Sequence, residues 1–176
     1  MRIISGTHRG LRIQAPQKLP VRPTTDIAKE ALFNILQHSI DFTEIKLLDL
    51  FSGTGNISYE FASRGCTDIV SIDKHAACVK FIQETAKKHG FAIDAMRADV
   101  FKFLSSDLDS YDIIFADPPY DLPKIPMIAE LVLKHDLLKP DGQLIIEHAS
   151  VQKLDYVKGF VEARVYGSST FSFFNR

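Results

Sequence analysis

Short apolar runs alternate with segments of helical periodicity along most of this chain. Lys46–Leu50 runs into a glycine turn, DIVSID spans 68–73, and further runs occupy 91–98, 111–117 and, after a Pro140-Asp141-Gly142 turn, QLIIEH (143–148). Runs this short, rich in Ile, Val and Leu and bounded by Gly, Pro and Asp, predict buried strands. Between them, apolar residues return at helical spacing over about 57–64, 75–89, 100–104 and, after Pro123 and Pro126, 127–135. Gly65 and Gly90 stop the first two of these helices. Strand–helix alternation from Lys46 to His148 predicts a doubly wound, mostly parallel α/β sheet with right-handed crossovers. Residues 157–174 form two β-rich runs split at Gly167-Ser168, the pattern of a terminal antiparallel hairpin.

The N-terminus has a different pattern. Alternating runs at 2–5 and 10–13 flank Gly6-Thr7-His8-Arg9-Gly10 and predict a small β-hairpin. Pro16, Pro20 and Pro23 make an extended link to a helix from Asp26, a candidate N-cap, to about His38. The expected organisation is therefore an N-terminal basic extension of hairpin and helix (1–40), followed by one compact unit (41–176). Phe33, at helical spacing, is expected in the core rather than on a binding face.

Charge sharpens that division. Residues 1–25 hold Arg2, Arg9, Arg12, Lys18 and Arg22 and no acid, so the arm carries +5 and leaves −6 for the remainder of a chain whose net charge is −1. A basic arm on a mildly acidic body fits an appendage that contacts phosphates. The length of 176 residues suits a full core, and no apolar run approaches membrane-spanning length. The first residues lack the apolar core of a signal peptide. Cys66 and Cys78 form no CxxC and no ligand cluster, so plain buried thiols, no metal and a cytoplasmic location are expected.

Candidate chemistry gathers where strands end. YDIIFADPPY runs from an apolar strand into Asp117-Pro118-Pro119-Tyr120. Two prolines cannot continue a strand ladder, so the chain leaves the sheet there, at the carboxyl edge where α/β proteins bind ligands. Asp49-Leu50-Phe51-Ser52-Gly53-Thr54-Gly55-Asn56 sits at the first strand-to-helix turn, where glycines let the backbone approach a ligand. It is not the dinucleotide fingerprint, because Ser58 occupies the third glycine position, and no lysine follows as a triphosphate loop requires. Asp73 ends the second strand, where an acid accepts from ribose hydroxyls. Asp99 ends the third, where an acid can accept from an adenine amino group, and Asp49 can hold an ammonium. Each acid alone could be a helix N-cap. Together they fit a ligand with an ammonium, a ribose and an adenine but no phosphate, which is S-adenosylmethionine.

The order of glycine turn, Asp73, Asp99 and DPPY resembles the class I S-adenosylmethionine-dependent methyltransferases. Within them, RIISGTHRG, RPTTDIAKEALFNIL, DLFSGTGN and DPPY together resemble the RsmD family over nearly the whole chain. The resemblance implies a Rossmann-like seven-stranded sheet and methylation of the exocyclic N2 amine of a guanine in small-subunit (16S) ribosomal RNA. It also implies S-adenosylmethionine as cofactor and S-adenosylhomocysteine as product. The cofactor is expected against Asp49, Phe51, Ser52, Gly53, Thr54, Gly55, Asn56, Asp73, Lys74, Asp99 and Val100. The chain departs from the family at Asn56, Ile57 and Ser58, where small residues and a further glycine are usual. It departs again at Asp73, where Glu is commoner, and at His75, where an acid is common.

A guanine amine is a poor nucleophile because its lone pair is delocalised into the ring. Asp117 and the carbonyl of Pro118 can each accept one of its N–H groups and turn the lone pair out of conjugation, while Pro119 stiffens the turn and Tyr120 stacks on the base. Arg9, Arg12, Arg22 and Thr24 are the expected RNA contacts, with small-subunit RNA in a ribosomal particle as partner and a monomeric protein without membrane association. The alternatives are a DNA or protein-glutamine amino-methyltransferase, or a non-catalytic ribosome-assembly module.

Overall fold

A computed structural model of the chain describes residues 1–19 and 26–176. Twelve elements follow in order: α1 (Asp26–Leu36), β1 (Lys46–Leu50), α2 (Asn56–Ser63), β2 (Asp68–Asp73), α3 (Ala76–His89), β3 (Ile93–Arg97), α4 (Val100–Ser106), β4 (Tyr111–Ala116), α5 (Ile125–Lys134), β5 (Leu138–Ala149), β6 (Phe160–Tyr166) and β7 (Ser169–Asn175). The strands form a seven-stranded sheet in the order β3-β2-β1-β4-β5-β7-β6. β1 to β5 pair in parallel, while β7 runs antiparallel to both β5 and β6. This is the class I methyltransferase fold expected from the sequence, terminal hairpin included.

Alternation along the strands sorts side chains to two faces. Leu48, Leu50, Ile72, Ile114, Leu144 and Ile146 bury against α4 and α5. Leu47, Ile69, Ile113, Phe115 and Ile145 pack on the other face against α1 and α2, with Phe33 fully buried between Phe42 and Phe61. Phe33 is thus core, as expected, and both cysteines are free and buried. Among the described residues no helix is long and apolar enough to cross a membrane.

Three local expectations need correction. α1 stops at Leu36, two residues early, and gives way to a turn. α5 begins at Ile125 with Pro126 inside its first turn, where proline's missing N–H would have found no partner anyway. Pro140-Asp141-Gly142 does not precede β5 but interrupts it. Pairing of β4 with β5 jumps from Tyr111↔Leu138 to Ile113↔Gln143, so the three residues lie in an irregularity within the strand.

The N-terminal arm folds back on itself through an isolated antiparallel bridge, Arg2↔Arg12, and lies on α2 and α3. Ile3 and Ile13 are buried with Tyr59, Val79, Ile82 and Phe91. Polar contacts fix its register: Ile4 and Ser5 amides donate to the two Glu60 carboxylate oxygens at 2.8 and 3.1 Å, and the Thr7 amide donates to the Ser63 carbonyl at 2.7 Å. Gly6 has a left-handed backbone (φ +84), and a Cβ there would run into the carbonyl of Ser63. Gly6→Ala is therefore expected to cost at least about 2 kcal/mol through strain and overpacking. A thermal melt checks this, with limited proteolysis reporting release of residues 1–15.

Candidate active site

β1 stops at Leu50, and Phe51 takes a left-handed conformation (φ 57) that strains a bulky side chain; Gly53 and Gly55 follow at φ 53 and φ 80. The turn is pinned to β2, because the Ser52 amide donates to the Ile72 carbonyl at 3.0 Å. At Gly55 even a methyl group would meet Tyr59 and Ile82, so packing closes the position as well as conformation.

The three acids do different work. Asp49 is buried on β1, where Ser58 Oγ donates to its Oδ2 at 2.6 Å and the Ser71 hydroxyl lies 2.7 Å from that of Ser58. Burial pushes the Asp49 carboxyl up to about 7, against the opposing pull of the Ser58 hydrogen bond. Ser58, the residue that breaks the dinucleotide pattern, is thus the donor that holds this acid. Asp73 braces the glycine turn: its Oδ2 accepts from the Gly53 amide at 2.9 Å, and its Oδ1 accepts from the His75 amide at 2.8 Å with the His75 ring at 3.0 Å. Oδ2 keeps a second lone pair for a ligand, whereas Oδ1 is engaged by both His75 groups. Asp99 caps α4, accepting from the Lys102 amide at 3.0 Å, and also faces the cleft.

These residues line one cleft with Phe51, Ser52, Gly53, Thr54, Asn56, Lys74 and Val100, all expected from the sequence. Gly55 turns behind the wall as the N-cap of α2. Ile57, His75, Phe101, Phe115 and Leu122 complete the lining and were not foreseen. Most of them are apolar, and a cleft wall of that kind carries the same sequence signal as core.

The proline tetrad reaches this cleft from β4. Asp117 donates its amide to the Leu50 carbonyl at 3.4 Å, and its side chain lines the cleft. Pro118 is buried and Pro119 is exposed, its carbonyl accepting from the Leu122 amide at 2.9 Å. The Tyr120 hydroxyl donates to Glu147 Oε1 at 3.0 Å and lies 2.7 Å from the Ser169 hydroxyl, while Gln152 donates to the Tyr120 carbonyl at 3.0 Å. Burial pushes the Tyr120 phenol up to about 12, so it stays protonated. Glu147 and Ser169, from β5 and β7, are anchors that the sequence did not mark, since their partner lies far away in the chain.

One expectation about metal ligands changes. Cys78 is one helical turn beyond His75, and the fold brings ligand atoms of Asp73, His75 and Cys78 within 4.8 Å of one another. Burial raises the Cys78 thiol to about 11.

Two of the expected RNA contacts, Arg9 and Arg12, sit apart from the cleft. Arg9 and Arg12 are exposed on the arm. Neighbouring Thr7 and His8 dock on Ser63, at the far end of α2 from Asn56. Arg22 and Thr24 lie outside the described residues.

The sheet order, glycine turn and strand-end acids define a methyltransferase of the class I fold. The family model described as "Conserved hypothetical protein 95" matches residues 1–175, and the chain belongs to that family, which is the RsmD family. Ribosomal RNA small subunit methyltransferase D of Escherichia coli K12 is 32% identical over 165 residues, covering 92% of this chain and 76% of that protein. Among solved structures, hypothetical protein TTHA0928 of Thermus thermophilus superposes with a TM-score of 0.84 at 24% identity, covering 100% of this chain and 99% of its own. The Thermus thermophilus 16S rRNA N2 G1207 methyltransferase RsmC, in complex with AdoMet and guanosine, superposes with a TM-score of 0.73 at 19% identity over 90% of this chain and 45% of that one.

The buried Asp49 yields a pH prediction. The folded protein retains a proton there up to about 7, whereas the unfolded chain loses it near 3.8. Stability from this group therefore falls as pH rises between those values, and the cost persists above them. Asp49→Asn should raise stability at pH 8 by at least about 1 kcal/mol and change little at pH 3. Denaturant titrations at the two pH values check this.

Proposed function

We propose that this chain transfers a methyl group from S-adenosylmethionine to the exocyclic N2 amine of a guanine in small-subunit ribosomal RNA. The observation that carries the reading is the placement of Asp117-Pro118-Pro119-Tyr120 against the glycine turn, with Asp117 on the wall of the same cleft. The name of the Escherichia coli relative supports ribosomal RNA as substrate class. The likeness to RsmC, an N2 methyltransferase of 16S rRNA solved with guanosine, supports a guanine amine as the acceptor.

The residues present suit the cofactor. Asp49 is a buried acid that gains most from an ammonium partner, and the turn at Gly53 and Gly55 allows close backbone approach. Asp73 offers acceptors for ribose hydroxyls and Asp99 for an adenine amine, between the apolar walls of Phe51, Phe101 and Leu122. When bound, S-adenosylmethionine supplies an electrophilic methyl group on a sulfonium.

The protein's part is positioning and electrostatics. The Asp117 carboxylate accepts one N–H of the guanine amine and the Pro118 carbonyl accepts the other, which favours a pyramidal nitrogen with its lone pair directed outward. Positive charge develops on that nitrogen as it gains a carbon, and Asp117 stabilises the charge and takes the proton. The Tyr120 ring, tethered through its hydroxyl to Glu147 and Ser169, presents a preset face for the base. Arg9 and Arg12, with Arg22 and Thr24 outside the described residues, contact RNA phosphates. With Arg9 and Arg12 on the arm, away from the cleft, the substrate is RNA folded within a ribosomal particle rather than a short strand.

Two variants test these roles. Asp117→Ala should reduce methyl transfer to small-subunit particles by about 100-fold or more while calorimetry finds the cofactor dissociation constant little changed. Turnover near the unsubstituted rate would remove Asp117 from the chemistry. Tyr120→Phe keeps the ring but drops its tether, so it should raise KM for the particle more than it lowers kcat; steady-state kinetics at saturating cofactor separates the two.

A further inference from the structure

Lys29 is a lysine with no exposed surface, on the first turn of α1. Its ammonium donates to the backbone carbonyl of Arg2 at 2.6 Å and to Asn56 Oδ1 at 2.8 Å, and lies 3.3 Å from Glu60 Oε2. These three acceptors belong to the arm, to the cleft wall and to the body of α2. Glu60 is equally buried and receives the Ile4 and Ser5 amides of the arm, as well as Arg64 Nε at 2.9 Å. Asn56 is the first residue of α2, directly after the glycine turn, and it lines the cleft.

An ammonium only donates, so Lys29 fixes which end of the Asn56 amide faces it. The donor end, Nδ2, is turned away and has no partner among the described residues although it is buried. A buried ion pair is a poor way to gain stability alone, since apolar residues of similar volume often do as well. What this pair does supply is direction: one cation holds three segments in one arrangement.

We propose that Lys29 is a positioning residue that sets the wall of the cofactor cleft through Asn56 and ties that setting to the seating of the N-terminal arm. The proposal rests on the reading of the cleft as a cofactor site. Its consequence is reciprocal. A seated arm strengthens cofactor binding, and bound cofactor steadies the arm to the same extent.

The unsubstituted protein tests the linkage without any change of sequence. Saturating S-adenosylhomocysteine should slow hydrogen exchange of the Ile4 and Ser5 amides at least about fivefold, the lower end of a typical coupling between sites. Unchanged exchange overturns the linkage. Lys29→Met, Asn56→Ala and the double variant then test the route by calorimetric titration with the same nucleoside. Each single change should weaken binding about tenfold, and the double should be no weaker than the worse single, because both remove one interaction. Multiplying losses, or a Lys29→Met protein that melts lower yet binds normally, overturn the positioning role. If the unsubstituted chain binds neither S-adenosylmethionine nor S-adenosylhomocysteine, the cofactor reading itself fails, and this inference with it.

Discussion

Everything at the site depends on how β1 lies beside β4. The two strands are separated by the 60 residues between Leu50 and Tyr111, yet they pair in parallel with Leu50 opposite Ala116. Both leave the sheet at that level, one into the glycine turn and the other into the proline tetrad. The Asp117 amide still reaches back to the Leu50 carbonyl. Strand order reverses here, with β2 on one side of β1 and β4 on the other, so the two crossovers diverge and open a crevice. A one-residue slip would swap the faces of β4 and carry Asp117 away from the turn. The dense packing of Leu48, Leu50, Ile114 and Ala116 on one face and Leu47, Ile113 and Phe115 on the other holds that register.

Around the crevice the chain accepts local costs. Phe51 is held in a left-handed conformation, Asp49 is buried with its carboxyl raised to about 7, and Lys29 and Glu60 are ionisable groups with no exposed surface. Each is supported by a specific partner rather than by solvent. Ser58 holds Asp49, Gly53 and His75 hold Asp73, and Glu147 and Ser169 hold Tyr120. These departures from general stability rules lie around the site, as expected where structure serves binding and chemistry.

The local part of this was legible in the sequence. Apolar runs bounded by Gly, Pro or Asp placed β1, β2 and β4 closely, and the acids near their ends stood out because strand ends are where α/β proteins bind ligands. Elements with weaker punctuation were misjudged at their edges: Pro126 reads as a breaker but is tolerated in a first turn, and Pro140-Asp141-Gly142 reads as a turn but lies within β5. Partnerships across long sequence separation were not legible. Nothing in the sequence links Tyr120 to Glu147 and Ser169, Lys29 to Asn56, or Glu60 to Ile4 and Ser5. Ser58 and Asn56 looked like blemishes in a motif; the fold makes one the donor to Asp49 and the other the acceptor for Lys29.

The central claim is that the Asp117 turn holds a guanine amine of ribosomal RNA for methylation by S-adenosylmethionine. The most direct test is to incubate the protein and labelled S-adenosylmethionine with small-subunit particles lacking this modification, digest the RNA, and identify the labelled nucleoside by chromatography and mass spectrometry. The account predicts N2-methylguanosine as the labelled product. Label on another base, on the ribose, on the N7 of guanine or on ribosomal protein would contradict it.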